Sequence, residues 1–549
     1  MHKAATYFNT IKFMRLSQLV GQLTKSSKLK AKYKGTLFEG QVEWNIQTLI
    51  PNLDEDKDYL LRFNVDELIN NRVTLLHESH DINLLSWKAN ASALWNFNLH
   101  YFEYCIVLAE KYKIKQEIKY YKKFKELIKA WIKANPIGLG DGWHPYTISL
   151  RIPNWFICFD LFGDIFKQDE DFKTEIIQSV YCQYRTLLKR KETWQAGNHY
   201  FENLKAIIFC SLLFGESGVY KKHWKRFKNE LNEEVLPDGV HFELSPMYHK
   251  IILEDITRTA YWLKQARKEA YKELIPIIQN MAVAAVFIEK GMGRTPLFND
   301  SGNNVAKSVE CLEKTVKQLF DIDLSEKDEF TDSGYYKLYN ENLALMFDAG
   351  KIGPDYMPGH GHCDCLSFEL AVDGKPLFVN SGTYQYQGNK RKYFRSTEAH
   401  NTVKMGGYEQ SECWGEHRVA RRISDIKAKR EGPRITGEYR NYLGDRHQRV
   451  IELVNRELTV LDLTSAMNEL VHSYLHIAPE FAVRQTEEGI CLLDINKNEF
   501  CQITLQGCEA SIKKTDYASE IGFLQQCTSL EFTWQADNKQ HGYKITFKE

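Results

Sequence analysis

YFEYCIVLAEKYKIKQEIKYYKKFKELIKAWIKANP, residues 101–136, repeats apolar side chains at three- and four-residue intervals and stops at Pro136. That spacing is the period of an amphipathic helix, and a strand would alternate by two. The same period returns in 153–166, 172–190, 200–214, 219–235, 249–268 and 273–289, between loops rich in Gly, Asn and Trp such as NPIGLGDGWHPY and ETWQAGN. Antiparallel helix pairs joined by aromatic-rich loops predict an all-α array, either a solenoid or a ring. No fixed-period repeat is visible, which weakens the solenoid option. After about residue 335 the pattern changes to short β-type runs: YYKLYNENLALMFDA, LSFELAVDGKPLFVN, RRISDIKAKR, RVIELVNRELTVLDLTS and ICLLDIN. Asp373-Gly374 between two apolar runs is a hairpin signal. The expectation is a helical domain over 1–330 and an antiparallel β-sandwich or stacked sheets over 331–549, with the polar stretch SEKDEFTDSG at the boundary.

Composition narrows the function classes. The 549 residues carry 72 basic and 72 acidic side chains, with 43% hydrophobic residues. Coating nucleic acid or an anionic membrane needs a net positive field, so the balance argues against both. No apolar run reaches the roughly 18 residues of a membrane-spanning helix. The N-terminus reads as an amphipathic helix, with Ile11, Phe13, Met14, Leu16 and Leu19 among polar residues, and not as a secretory signal. Twelve scattered cysteines read as reduced, mostly buried thiols, and the expected compartment is the cytoplasm.

Four clusters carry chemistry. Asn198 and His199, followed by Glu202 and Asn203, stand at a helix start, where donors can face an anion; Asn198 alone would also serve as an N-cap. DGVHFELSPMYH, 238–249, crowds His241, Glu243, Tyr248 and His249 into one loop, and a structural role for Tyr248 is a hydrogen-bonded core tyrosine. GHGHCDC, 359–365, puts His360 and His362 on one face of an extended segment and Cys363 and Cys365 on the other, as core thiols. FVNSGTYQYQGNKRKYFRSTEAHNTV adds Asn380, Tyr384, Tyr386, Arg391, Arg395 and His400, with Lys390 to Lys392 a solvated loop. Walker loops, dinucleotide fingerprints and nucleophile elbows are absent. Glu202 and Glu243 would be the pair for glycoside hydrolysis. The abundance of His, Asn and Tyr suits different chemistry, the removal of the C5 proton of a uronic acid. There the carboxylate must be neutralised by donors, a base must take the proton, and an acid must serve the leaving oxygen. A tyrosine near cationic groups can have its pKa lowered enough to be that base.

The blocks WNFNLHYFEY (95–104), GWHPYTISLRIPNW (142–155), AGNHYFEN (196–203), DGVHFELSPMYH (238–249), GHGHCDCLSFEL (359–370) and FVNSGTYQY (378–386) through HNTV (400–403) run in order across most of the chain. They resemble the heparinase II/III-like polysaccharide lyases, and also certain alginate lyases. The resemblance implies an incomplete (α/α) toroid followed by antiparallel β-sheets, with the cleft between them. It assigns Asn198 and His199 to carboxylate neutralisation, Tyr248 to acid/base work, and His360 to the cleft from the β side. His362 and His400 match positions that hold a structural zinc together with an Asp, and here that position is Asn380, a weaker ligand that puts metal binding in question; Asp364 is open to either reading, as a substitute ligand or as a residue that starts the strand. The chemistry itself requires no cofactor.

Around these, Trp143, His144, Arg151, Glu202, Glu243, His249 and Tyr384 are candidates for contact with the sugar. Trp95, Tyr146, Trp155 and Trp194 are, with Trp143, rings placed where they could stack on pyranose faces; each taken singly is more often core, and one or two of the five are expected to line a subsite. The leading expectation is a lyase acting by β-elimination on an acidic, uronate-containing polysaccharide or oligosaccharide. The runner-up is a uronate C5-epimerase or related enzyme of surface-polysaccharide biosynthesis, and the third reading is a non-catalytic glycan-binding protein.

Overall fold

The computed structural model describes residues 2–31, 33–35, 37–340, 342–487 and 489–548. Between residues 106 and 320, nine helices of ten residues or more, Ile106–Lys115, Ile118–Ala134, Pro145–Phe162, Glu170–Arg190, Gly197–Leu213, Ser217–Glu234, Pro246–Gln265, Ile275–Glu289 and Val309–Phe320, build the first part among the described residues. They form an incomplete toroid. The stretch expected as one helix over 101–136 is two, because Gln116 takes φ 55° and ends the first by an αL cap. The helix expected to begin at 153 begins at Pro145, the N1 position, with His144 as cap, and carries Pro153 inside it.

Helix Gly197–Leu213 is the hub, packing against Pro145–Phe162, Glu170–Arg190, Ser217–Glu234 and Pro246–Gln265. Every residue of it is buried except His199. A helix buried on all sides belongs inside a protein, so its one accessible side chain marks where the core meets solvent. Trp87, Phe102, Trp131 and Trp155 pack around the same core, with ring centroids 5.2–6.3 Å apart.

Among the described residues the second part is built on two large antiparallel sheets, with a small two-stranded one at 413–414 and 418–419. One runs in the order 424–431, 434–440, 446–454, 457–464, 541–547, 499–506, 489–493, 482–486; the other in the order 509–520, 523–535, 470–477, 375–378, 367–372, 343–348, 335–340, with 403–405 added on 470–477. The expected hairpin forms at Asp373 (φ 51°) and Gly374 (φ 70°), joining Ser367–Val372 to Lys375–Phe378. Glu457–Thr464 alternates half-buried and buried residues, as a sheet with one wet face should. Leu343–Asp348 and Ser367–Val372 are buried at every position. The physical reason is that their second face carries Ala344, Met346 and Ala371 into a cluster with Val283, Phe287 and Ile288 of the toroid. The two parts therefore share an apolar interface, and the loops at its edge are held in fixed relation.

The N-terminus forms two helices, His2–Ile11 and Leu16–Lys30. All twelve cysteines are free, and Cys363 and Cys365 are buried as expected. Among the described residues no helix is long and apolar enough to cross a membrane.

Candidate functional site

Three segments converge at the junction of the toroid and the sheets. The first is the turn into the hub helix. Ala196 (φ 59°) and Gly197 (φ 56°) are both left-handed, so the chain enters the helix sharply, and the cap is Ala196, not Asn198. A Cβ on Gly197 would lie 2.7 Å from Glu243 Oε1 and closer still to Met357, so only glycine admits these neighbours. His199 Nδ1 lies 3.0 Å from Glu192 Oε1, and the His199 ring stacks on Tyr146 with centroids 4.2 Å apart. Asn203 Nδ2 donates to the other Glu192 oxygen at 3.2 Å. Burial works against a charged imidazole here, but Glu192 outweighs it and the His199 pKa ends above the usual histidine value. Asn198 is buried beside it, and its backbone N–H faces Glu243.

The second segment starts helix Pro246–Gln265. Ser245 caps it, accepting from Tyr248 N at 3.2 Å, and donates to the Asp300 carbonyl at 2.7 Å. This fixes Tyr248 in the first turn. Its hydroxyl meets that of Tyr386 at 3.0 Å, and its ring sits 4.2 Å from that of His360. Burial, reinforced by Tyr386, pushes the Tyr248 pKa well above that of free tyrosine. The expected lowering is therefore reversed, and the resting side chain is a phenol.

The third segment is the loop before Ser367–Val372. His360 Nδ1 donates to Asp300 Oδ2 at 2.9 Å, and His362 Nε2 donates to Asp300 Oδ1 at 2.9 Å. Arg391 forks onto both oxygens of the same carboxylate, and Thr383 Oγ1 donates from 3.3 Å. Burial alone would raise the Asp300 carboxyl; the guanidinium and the two imidazole N–H groups hold it well below the usual carboxylate range. An ionised Asp300 fixes the proton of His360 on Nδ1 and leaves Nε2 as the free acceptor. Glu243 Oε2 stands 3.9 Å from that Nε2, and burial raises its carboxyl. Glu243 thus lies between the Asn198 side and the His360 side.

Several expected contacts are structural instead. Trp143 is core, its ring tilted against that of Trp131 at 6.0 Å and its Nε1 donating to the Asn135 carbonyl at 3.0 Å. Trp95, Trp155 and Trp194 are buried too, so of the five rings, one or two of which were expected to line a subsite, Tyr146 alone is accessible. Arg151 is fully buried, bonded to Gln183 Oε1 and the His100 carbonyl and lying over Trp131. His249 is buried, Nε2 on the Met281 carbonyl and Nδ1 accepting from His241 N, and burial lowers its pKa to about 4. Tyr384 packs toward Phe394 (6.3 Å), and the tyrosine that reaches Tyr248 is Tyr386, two residues on. His144 caps its helix through Nδ1 and lies 3.7 Å from Glu192, supporting that carboxylate. Glu202 is paired with Lys205 at 2.8 Å on the wall of a cavity of about 270 Å³ that also includes Tyr101, Tyr146 and Asn304.

For a metal, His362, Asp364 and His400 bring one ligand atom each within 4.8 Å of one another, all buried. Among the described residues Nδ1 of His362 has no hydrogen-bond partner and the buried His400 ring has none among the side chains, an unusual cost for buried polar atoms and one a metal would remove. Asn380 does not join them. Its Nδ2 donates to Ser367 Oγ and its Oδ1 accepts from Asn401 N, so its amide is spent within the sheet. The ligand set fits a divalent ion, with Asp364 in the role expected of Asn380.

Asp300 and Glu192 complete the site and were not among the candidates, while Arg391, named in the fourth cluster but read with its lysine neighbours as a solvated loop, is buried because its guanidinium is drawn onto the Asp300 carboxylate. Asp300 lies in LFNDSG, a polar loop without motif character, 60 residues from His360.

A sequence family described as Heparinase II/III N-terminus matches residues 60–325, and one described as Heparinase II/III-like, C-terminal matches 323–546. The chain is 24% identical over 362 residues to a heparin-sulfate lyase of Pedobacter heparinus, covering 59% of this chain and 54% of that protein. It is 22% identical over 469 residues to a heparin-sulfate lyase of Bacteroides thetaiotaomicron, covering 74% and 65%. The chain thus spans between half and two thirds of the length of these relatives. Among solved structures, a heparinase III superposes with a TM-score of 0.70 at 17% identity over 94% of this chain and 88% of that one. The heparan sulfate lyase HepC of Pedobacter heparinus superposes with a TM-score of 0.56 at 17% identity over 97% and 87%. At these identities the superpositions establish the fold.

Proposed function

The chain belongs to the heparinase II/III-like family, and from that premise we propose that it is a polysaccharide lyase cleaving a uronate-containing acidic glycan by β-elimination. The observation that carries the reading is the contact of an oriented imidazole, His360 on Asp300, with a protonated phenol, Tyr248, where the helical part meets the sheets.

The steps follow from the groups present. Asn198 and the His199 imidazolium bind the uronate carboxylate and take up the charge that grows on it as the C5 proton leaves. His360 Nε2 accepts that proton, and Asp300 stabilises the imidazolium so formed. The Tyr248 hydroxyl donates to the glycosidic oxygen as the C4–O bond breaks. Tyr386, bonded to Tyr248, reorients with it. The name of the relatives, heparin-sulfate lyase, makes a glycosaminoglycan the substrate to try first.

A divalent ion held by His362, Asp364 and His400 would be structural, tying the loop of His360 to the sheet. Metal analysis of the purified chain is expected to give about one equivalent, and chelation is expected to lower the melting temperature; Asp364→Ala should lose the metal while Asn380→Ala keeps it.

The His199–Glu192 pair predicts a pH effect. The His199 pKa is raised in the folded protein, so the cation is present below that value and is lost as pH rises through it. Carboxylate binding should weaken on the alkaline side. In Glu192→Gln the loss should begin at lower pH, with KM raised about tenfold near neutrality and kcat less affected.

The activity is tested on heparan-, chondroitin-, hyaluronan- and alginate-type uronides in deuterated water, following absorbance of the unsaturated product and deuterium at C5. Rising absorbance supports the lyase. Deuterium without absorbance replaces it with an epimerase.

A further inference from the structure

The balance of charge over the whole chain conceals an asymmetry. The first 38 residues contain eight Lys and Arg and no Asp or Glu, so the remainder is net negative. This basic segment precedes the region matched by the family, which begins at 60. It is anchored to both parts of the molecule. From helix His2–Ile11, Thr6 Oγ1 donates to Glu412 at 2.9 Å, Trp414 Nε1 donates to Thr10 Oγ1 at 2.8 Å, and Tyr7 packs edge-on against Trp414. From helix Leu16–Lys30, Gln18 Nε2 donates to the Tyr356 carbonyl at 3.1 Å, and Gly21 lies so close to Trp194 that a Cβ there would stand 2.7 Å from its Cβ. Arg15 pairs with Glu233 just before it. Trp194 precedes the turn to Asn198 and His199, and Tyr356 precedes His360, so the helix is held by the loops that deliver both sides of the site.

The opposite face of that helix is apolar and open. Leu16, Val20 and Leu23, at i, i+4 and i+7, form one stripe and are 76%, 52% and 86% exposed. Gln18 and Gly21 occupy the docked face, so the stripe points away from the protein. Phe8 and Ile11, on one face of the preceding helix, are 69% and 48% exposed. Lys12, Lys30 and Lys34 are exposed near these residues in sequence, without a carboxylate partner among the described residues. A helix secured on its inner face that presents large aliphatic side chains outward, flanked by unpaired lysines and with no acid in the segment, has the composition of an interfacial helix.

We propose that this N-terminal segment docks the protein on an anionic lipid bilayer surface, with Leu16, Val20 and Leu23 entering the acyl boundary and the lysines meeting the headgroups. A hydrated polyanionic glycan would satisfy the lysines but offers the aliphatic stripe little to be buried against; a bilayer satisfies both. Docked so, the strap holds the loops of both sides of the site at the membrane surface.

The test is flotation of the full chain with vesicles of phosphatidylcholine alone or mixed with phosphatidylglycerol. Binding is expected with the anionic vesicles only and to weaken with salt. The triple variant Leu16→Ser, Val20→Ser, Leu23→Ser should cut the bound fraction about tenfold with the melting temperature unchanged, since these side chains are exposed. Lys12→Glu, Lys30→Glu, Lys34→Glu should abolish the lipid preference. Absence of flotation with anionic vesicles overturns the proposal. So does binding that the serine variant leaves intact, which would be adsorption through charge alone. A dimer in light scattering that the serine variant dissociates would assign the stripe to a second copy of the chain, and would equally overturn it.

Discussion

Tyr248→Phe is expected to lower kcat by about 10²–10⁴-fold while the protein stays folded. The substitution removes one oxygen, whose partner is the Tyr386 hydroxyl at 3.0 Å. Loss of one such bond costs about 0.5–1.5 kcal/mol, and the ring keeps its packing against His360 and Ile521. What disappears is the proton that the buried phenol retains because its pKa is raised. Without it the leaving oxygen departs as an alkoxide. Turnover measured by product absorbance, beside KM and the melting temperature, checks this: a fall in kcat alone identifies the proton donor. Retention of more than about a tenth of wild-type kcat would remove Tyr248 from that role. Tyr386→Phe, which leaves the Tyr248 hydroxyl in place, should be markedly milder.

Asp300→Ala is expected to be the most damaging single change, in stability as well as activity. Its carboxylate is wholly buried and receives Arg391, His360, His362 and Thr383 together. Removing it leaves the Arg391 guanidinium, itself 1% exposed, without its counter-charge; such losses cost about 3–5 kcal/mol. The denaturation midpoint should fall accordingly. Because that variant could fail by unfolding, Asp300→Asn separates the roles. It keeps shape and one acceptor but no longer dictates which ring nitrogen of His360 carries the proton, so kcat is expected to drop on the order of 10³-fold in protein that remains folded. Near-normal kcat in folded Asp300→Asn would mean that His360 does not depend on the carboxylate. An altered His360 ring-nitrogen signal by NMR would locate the effect at the imidazole.

How much of this could be read without coordinates differs between fold and site. The helical period of 101–136 and the later change to short alternating runs are local properties, because both follow from which side chains must face a core at 3.6 or 2 residues per turn. The two-part architecture and the Asp373-Gly374 hairpin were legible for that reason. Asn198, His199, Tyr248 and His360 were legible as members of short dense clusters. Burial was not legible, since it depends on what packs against a residue from elsewhere. Trp143, Arg151 and His249 have the chemistry of sugar contacts, and the chain uses them as core because Trp131, Gln183 and the Met281 carbonyl happen to face them.

The amino-acid sequence by itself determined the two-part order of helices and strands, the family, and the four side chains to which the proposed chemistry is assigned. Only the tertiary structure decided their protonation and supports. A carboxylate such as Asp300 has no local signature, and becomes the centre of the site when Arg391 and two histidines, contributed from 60 to 91 residues away, converge on it. The same holds for Glu192 beneath His199, and for Tyr248, whose pKa is set by burial between two domains. Periodicity is a property of neighbours along the chain, and electrostatics a property of neighbours in space.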